Sequence, residues 1–166
     1  MKQPPDSTSK MKRIVTITFL ILTTISLSEA QTTSPDKTWD LLLNDVKIRY
    51  AYALNFDTYL PRPKFGNNLK KLEGQEVTIK GFFLPVDVTG SVFVVSYNPM
   101  KTCFFCTGSG IETIVEINPK ADQLSKFKKL KTDNYIELKG KLRLNAKDYQ
   151  HLVYVLNEAE LVKIIK

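Results

Sequence analysis

Tyr135-Ile136-Glu137-Leu138-Lys139-Gly140-Lys141-Leu142-Arg143-Leu144 decides the fold. Ile136, Leu138, Leu142 and Leu144 alternate with Glu137, Lys139, Lys141 and Arg143, the period of a strand with one face buried and one in water. Gly140 stands inside that strand, where a tightly coiled barrel strand needs a residue without a side chain. The same sign recurs upstream. Glu76 to Leu84 reads as a strand with Val77, Ile79 and Phe83 on one face, Thr78 and Lys80 on the other, and Gly81 in its interior.

The elements between and after these strands complete a pattern. Asp87 to Gly90 is a turn, and Ser91 to Tyr97 is a second strand, apolar on both sides in its middle. A loop from Asn98 to Gly110 carries both cysteines, and Ile111 to Ile117 is a third strand. Asn118-Pro119 is read as the cap of a helix with Leu124, Phe127 and Leu130 as its buried stripe. After Tyr135 to Leu144 comes a turn at Asn145 to Asp148, then a last strand from His151 to Leu156. Three strands, a helix and two strands is the element order of an OB barrel, a five-stranded, partly open Greek-key barrel. The expected class is therefore mainly β, with one or two short helices. Leu69-Lys70-Lys71-Leu72 ahead of the first barrel strand echoes Phe127-Lys128-Lys129-Leu130 ahead of the fourth, as two short segments packed on the barrel in similar ways would.

An extension at residues 31–68 precedes the barrel domain at 69–166. Ser34-Pro35 fits an N-cap with proline at the first helical position, and Trp39, Leu42, Leu43 and Val46 recur at helical spacing. From Val46 the pattern turns to alternation, Val46, Ile48, Tyr50 and Tyr52 against Lys47, Arg49, Ala51 and Ala53. Pro61-Arg62-Pro63 and Gly66-Asn67-Asn68 are expected to break the chain before the barrel.

Residues 1–30 read as a secretory signal peptide. Lys10, Lys12 and Arg13 precede an apolar run, Ile14 to Leu27, and Ser28-Glu29-Ala30 sets small residues at a cleavage site before Gln31. Met11 serves as a start as well as Met1, since the first ten residues are polar. The run is shorter than the ~20 residues of a spanning helix, so no transmembrane anchor is expected after cleavage. Export, most simply to a bacterial periplasm, is the address these signals give. Without the leader, 136 of the 166 residues remain, enough for one domain with a core. The leader's four basic and two acidic residues lower the charge from +7 to +5. That suits a lysine-rich soluble surface, and export argues against nucleic acid as a partner. Phe82, Tyr154, Lys139, Lys141 and Arg143 could otherwise form a base-stacking face.

Cys103-Phe104-Phe105-Cys106-Thr107-Gly108-Ser109-Gly110 is the only stretch dense enough in reactive groups to carry chemistry. In an oxidising compartment two thiols at this spacing close a structural disulfide. They also suit half of a site for zinc or another soft divalent metal, which needs further ligands: His151, the single histidine, Glu112, or the cysteines of a second copy in a dimer. A thiol–disulfide oxidoreductase with Cys103 as nucleophile and Cys106 as resolving thiol is the enzymatic alternative. Against it stand Phe104 and Phe105, which desolvate a thiolate, a single neighbouring cation, Lys101, and the absence of a following helix. No other enzyme motif is present.

Leu72-Glu73-Gly74, Val77 to Gly81, Leu84-Pro85, Ser96 to Pro99 and the cysteine stretch through Glu112 resemble an uncharacterised family of exported bacterial proteins with a C-F-x-C-x-G-x-G-x-E pattern, many labelled as hypothetical proteins or lipoproteins. Glu112 matches the pattern's glutamate, and Ile111 stands where such proteins usually have proline. The resemblance implies export and no particular activity. The composite expectation is a non-enzymatic OB-like binding or accessory module for an envelope protein or a small ligand.

Overall fold

A computed structural model describes residues 34–86, 92–103 and 108–166. The leader and Cys106 lie outside the described residues. Five strands close a barrel in the order β3-β4-β5-β7-β6: β3 Glu76–Pro85, β4 Phe93–Ser96, β5 Ile114–Pro119, β6 Tyr135–Leu144 and β7 Tyr154–Ile164. All pairings are antiparallel except β5 with β7, which run parallel. This is an OB-like barrel, as the element order predicts. No helix among the described residues is long and apolar enough to cross a membrane.

The alternation seen in sequence becomes the barrel interior. Val77, Ile79, Phe83, Ile136, Leu138 and Leu142 are buried in one core, together with Phe127. Each such side chain contributes about 1.5–3 kcal/mol by leaving water. Gly81 and Gly140 take inward positions of β3 and β6, where another strand passes too close for a side chain. A Cβ on Gly81 would lie 2.5 Å from the Ser96 carbonyl oxygen, and one on Gly140 would lie 2.8 Å from that of Asn157. The helical echo also has its counterpart. Two one-turn helices, α2 Asn67–Lys70 and α3 Leu124–Phe127, each send one fully buried residue, Leu69 and Phe127, into the core. Phe127 stacks on Phe93 at 5.9 Å and lies 6.5 Å from Phe83, which seals one end of the barrel.

Helix α1, Pro35–Asn44, begins after Ser34 with proline in its first turn and buries Thr38, Trp39 and Leu42. It lies along β3: the Thr38 hydroxyl donates to the Thr78 carbonyl at 2.8 Å, and the Trp39 indole N–H donates to that of Lys80. Thr78 is buried for that reason, although its position in β3 points away from the barrel interior.

Several boundaries differ from the sequence reading. Pro61-Arg62-Pro63 does not break the chain but lies within β2, Thr58–Phe65, which pairs with β1, Val46–Ala53, as a separate hairpin. A two-stranded ribbon has an open edge on each strand, and prolines two residues apart share one side, so neither costs a ladder bond. Asn118-Pro119 closes β5 instead of capping α3, whose cap position is Gln123, and Leu124 is partly exposed. The third barrel strand starts at Ile114 after a 3-10 turn over Ile111–Thr113. The last strand runs from Tyr154 to Ile164, not from His151 to Leu156. Its polar Glu158 and Glu160 answer the cations of β6, and Glu158 adopts a left-handed conformation at φ 52°, where the pairing slips. That irregularity hides the strand period after Leu156. Asp87 to Ser91 lies outside the described residues.

Candidate functional site

The inner and outer faces of β4 are both apolar because each has a cover. Phe93 and Val95 enter the barrel core. On the outer face Val94 joins Leu84, Ile114 and Cys103 in a small second cluster, with Leu152 against it. Cys103 is only 1% exposed. The first arm of the cysteine loop is therefore folded over the outside of β3, β4 and β5, with the Cys103 side chain as its anchor.

Polar contacts fix both arms. The Met100 backbone N–H donates to Asp133 Oδ1 at 2.8 Å, and Asp133, left-handed at φ 64°, donates its own N–H to the Phe83 carbonyl. The Ser109 hydroxyl donates to the Thr102 carbonyl at 3.2 Å, linking the outgoing and returning arms. The Thr113 hydroxyl donates to the Gly110 carbonyl at 2.7 Å, and the Tyr97 N–H donates to the Thr113 carbonyl.

The other residues singled out from sequence have polar partners of their own. His151 Nδ1 lies 2.6 Å from Glu116 Oε1, and the neighbouring Leu152 N–H donates to Glu116 Oε2 at 2.9 Å. Asp148 lies 4.0 Å from the other imidazole nitrogen. Its carboxyl is held below the ordinary range, first by the Gln150 backbone N–H and then by Arg143. The Glu112 carboxylate folds over Gly110, and its charge helps to raise the pKa of Tyr154, though burial of that phenol is the larger cause. Among the described residues no three His, Cys, Asp or Glu side chains converge as metal ligands. Cys106 lies outside the described residues, and with it any pairing to Cys103.

The suggested base-stacking face is not assembled. Tyr154 is fully buried in the core, with its hydroxyl donating to the Leu42 carbonyl at 2.8 Å. The cations of β6 each meet an acid: Lys139 with Glu160 at 3.1 Å, Lys141 with Glu158 at 2.8 Å and Arg143 with Asp148 at 3.1 Å. Lys120 also pairs with Glu160. Exposed pairs of this kind stabilise by only about 0–1 kcal/mol each. They do leave β6 without the uncompensated positive charge that phosphates require.

Phe82, by contrast, belongs to a real aromatic surface. It points out of the barrel beside Tyr135, ring centroids 5.0 Å apart, and Trp39 meets Tyr97 edge-on at 5.4 Å. With Asp36 and Asp40 these four rings line an open cleft of about 600 Å³ between α1 and the barrel wall. Lys80, also at the cleft, is drawn toward Glu137 at 3.7 Å. Tyr97 is the residue at which the cysteine loop begins, so the loop's anchor and the cleft wall are continuous. The sequence holds signals for this site, since Phe82 occupies an outward strand position and Tyr135 opens β6. Their meeting with a helix that precedes both in sequence depends on how α1 lies across β3.

No family model matches the chain, and no curated protein matches it.

Proposed function

We propose that the protein is an exported, non-enzymatic OB-like binding module that takes a small ligand in the cleft between α1 and the barrel. One observation carries the reading: Trp39, Phe82, Tyr97 and Tyr135 bring four aromatic rings to one cleft with two carboxylates beside them. Aromatic faces offer flat, partly electronegative contact, and Asp36 and Asp40 favour a positive group. A cationic or flat organic ligand suits that combination. Export rests on the leader pattern and on the resemblance to exported bacterial proteins.

In this reading the cysteine loop is structural, closed by a Cys103–Cys106 disulfide or by a soft metal such as zinc, and it keeps Tyr97 in place. Burial of Cys103 among apolar side chains supports an anchor over a nucleophile, since a reactive thiolate needs access and positive surroundings. Because no three candidate ligands converge among the described residues, a zinc site would also need donors outside them, including those of a second copy. Thiol count and zinc content of the purified protein decide between disulfide and metal.

Trp39 is the only tryptophan and reports on the cleft directly. Titration with choline, arginine and a neutral sugar should change its fluorescence for a cationic ligand, and Tyr135→Ala should abolish the change. Turnover of a model disulfide, lost on Cys103→Ser, would replace this reading with the oxidoreductase.

A further inference from the structure

The β1–β2 hairpin carries an exposed apolar surface that the cleft does not use. Tyr50, Tyr52, Leu54, Phe56 and Tyr59 are all exposed, Leu54 to 86%. Residues near the open end of the ribbon behave differently: Phe65 is buried, and Val46 and Ile48 pack against the core. The hairpin is thus fixed at its base and apolar at its tip. Its tip is also braced, because Phe56 meets Tyr149 edge-on at 5.5 Å and the Arg62 guanidinium lies 5.0 Å over the same ring. A braced, exposed aromatic patch of this kind marks an interaction surface.

We infer that this hairpin docks the protein on an anionic lipid bilayer. Charge selects the occupant. Residues 46–65 hold Lys47, Arg49, Arg62 and Lys64 against one acid, Asp57, which accepts a hydrogen bond from Tyr52. None of the four cations enters an ion pair among the described residues, whereas those of β6 are matched by acids. The order along the ribbon fits a bilayer. Leu54 lies outermost, the Tyr52–Tyr59 pair next, and Arg49–Arg62 three residues behind, ~10 Å back at the rise of a strand. Apolar tips enter the acyl boundary, tyrosines favour the interface, and cations meet headgroups. The ribbon is narrow, so cations on its other face stay within a Debye length of ~10 Å of that layer. Pro61 and Pro63 withhold donors from the β2 edge, which disfavours a second copy adding there as a strand.

The test uses the chain without residues 1–30, because the described core runs from Trp39 to Ala159 and the apolar Ile14–Leu27 run would itself adhere to lipid. Co-sedimentation with phosphatidylcholine vesicles containing phosphatidylglycerol should retain the protein, pure phosphatidylcholine should not, and high salt should release it. Leu54→Asp should weaken retention by roughly ten-fold or more, the loss expected for one inserted leucine. The Lys47→Gln, Arg49→Gln, Lys64→Gln triple variant should lose the preference for anionic lipid. Leu54→Trp should shift its emission to the blue on adding anionic vesicles. Absent retention, equal retention of Leu54→Asp, or no shift for Leu54→Trp overturns the proposal. A vesicle-free dimer that Leu54→Asp disrupts would assign the patch to a second copy instead.

Discussion

The Tyr154 hydroxyl donates to the Leu42 carbonyl at 2.8 Å, joining the last barrel strand to the end of the first helix across 112 residues. Leu42 lies in the last turn of α1, where carbonyls lack helical partners. The phenol therefore satisfies a helix-end acceptor from inside the core. Tyr154→Phe keeps the ring and removes the donor, and should cost about 1–3 kcal/mol because the acceptor is left buried and unpaired. Chemical denaturation of the two proteins measures it.

The same phenol sets an alkaline limit. Burial, then the charges of Glu112 and Asp45, push its pKa well above the ordinary 10.0. The folded state thus holds the proton more tightly than the unfolded state does. Its contribution is fully present below pH 10.0 and is lost as pH rises from there toward the folded-state pKa. Wild type should show a drop in stability above that pH which Tyr154→Phe lacks. Equal alkaline profiles would remove Tyr154 as the cause.

Glu116 and His151 join β5 to the turn that leads into the last strand. His151 stands at the edge of an expected strand, and the cysteine loop lies in the gap between two others, so the sequence allows them to meet. Glu116 is an outward residue of β5 that lies 2.6 Å from His151 Nδ1 and also accepts the Leu152 N–H. Buried Asn145 adds its side-chain amide, whose two N–H groups are shared among the carbonyls of Asp148, His151 and Leu152. Glu116→Ala should loosen residues 145–153, seen as faster amide exchange at Leu152, with a loss of about 1–2 kcal/mol. Unchanged exchange would mean that Asn145 alone holds the turn.

The barrel was legible because its signals are local. Alternation in β3 and β6, and the apolar middle of β4, each follow from residues adjacent in sequence. The β1–β2 hairpin was only half legible: Pro61 and Pro63 read as breakers, yet an edge position tolerates both. The cleft was less legible still, since Trp39, Phe82, Tyr97 and Tyr135 come from four elements and share no spacing. The second apolar face of β4 did carry information. A strand apolar on both sides requires a cover on each, and the cover proves to be Cys103 with Leu84, Ile114 and Leu152.

That cover makes the reactivity of Cys103 testable. In reduced protein the thiol should react with a maleimide far more slowly in the native state than in denaturant, since the side chain is 1% exposed. Cys103→Ser places a hydroxyl in an apolar cluster and should destabilise by about 1–3 kcal/mol. Cys103→Ala, which adds no polar atom, should cost less. Rapid labelling in the native state would show that the loop opens readily and would favour the redox alternative.

Gly81 and Gly140 provide the sharpest test of the barrel itself. Both take inward positions whose neighbours, Ile79 and Phe83 in β3, Leu138 and Leu142 in β6, are buried side chains. An alanine there would seem a conservative gain in strand propensity. At Gly81 its methyl group would stand 2.5 Å from the Ser96 carbonyl oxygen and 2.7 Å from Val95 Cγ2. At Gly140 it would stand 2.8 Å from both the Asn157 carbonyl oxygen and Leu156 Cγ, and 3.2 Å from Ala159 Cα. Backbone atoms of a closed barrel cannot yield without opening the pairing beside them. Each substitution should therefore destabilise by about 1–3 kcal/mol, the range for overpacking, and the Gly81 variant should be the worse of the two. Gly74 makes the control, because a Cβ there meets no atom within 4 Å and only its φ of 72° opposes alanine. Thermal melts of the three variants rank the effects. An unaltered melting temperature for Gly81→Ala would mean that β3 and β4 do not approach as closely as a closed barrel demands.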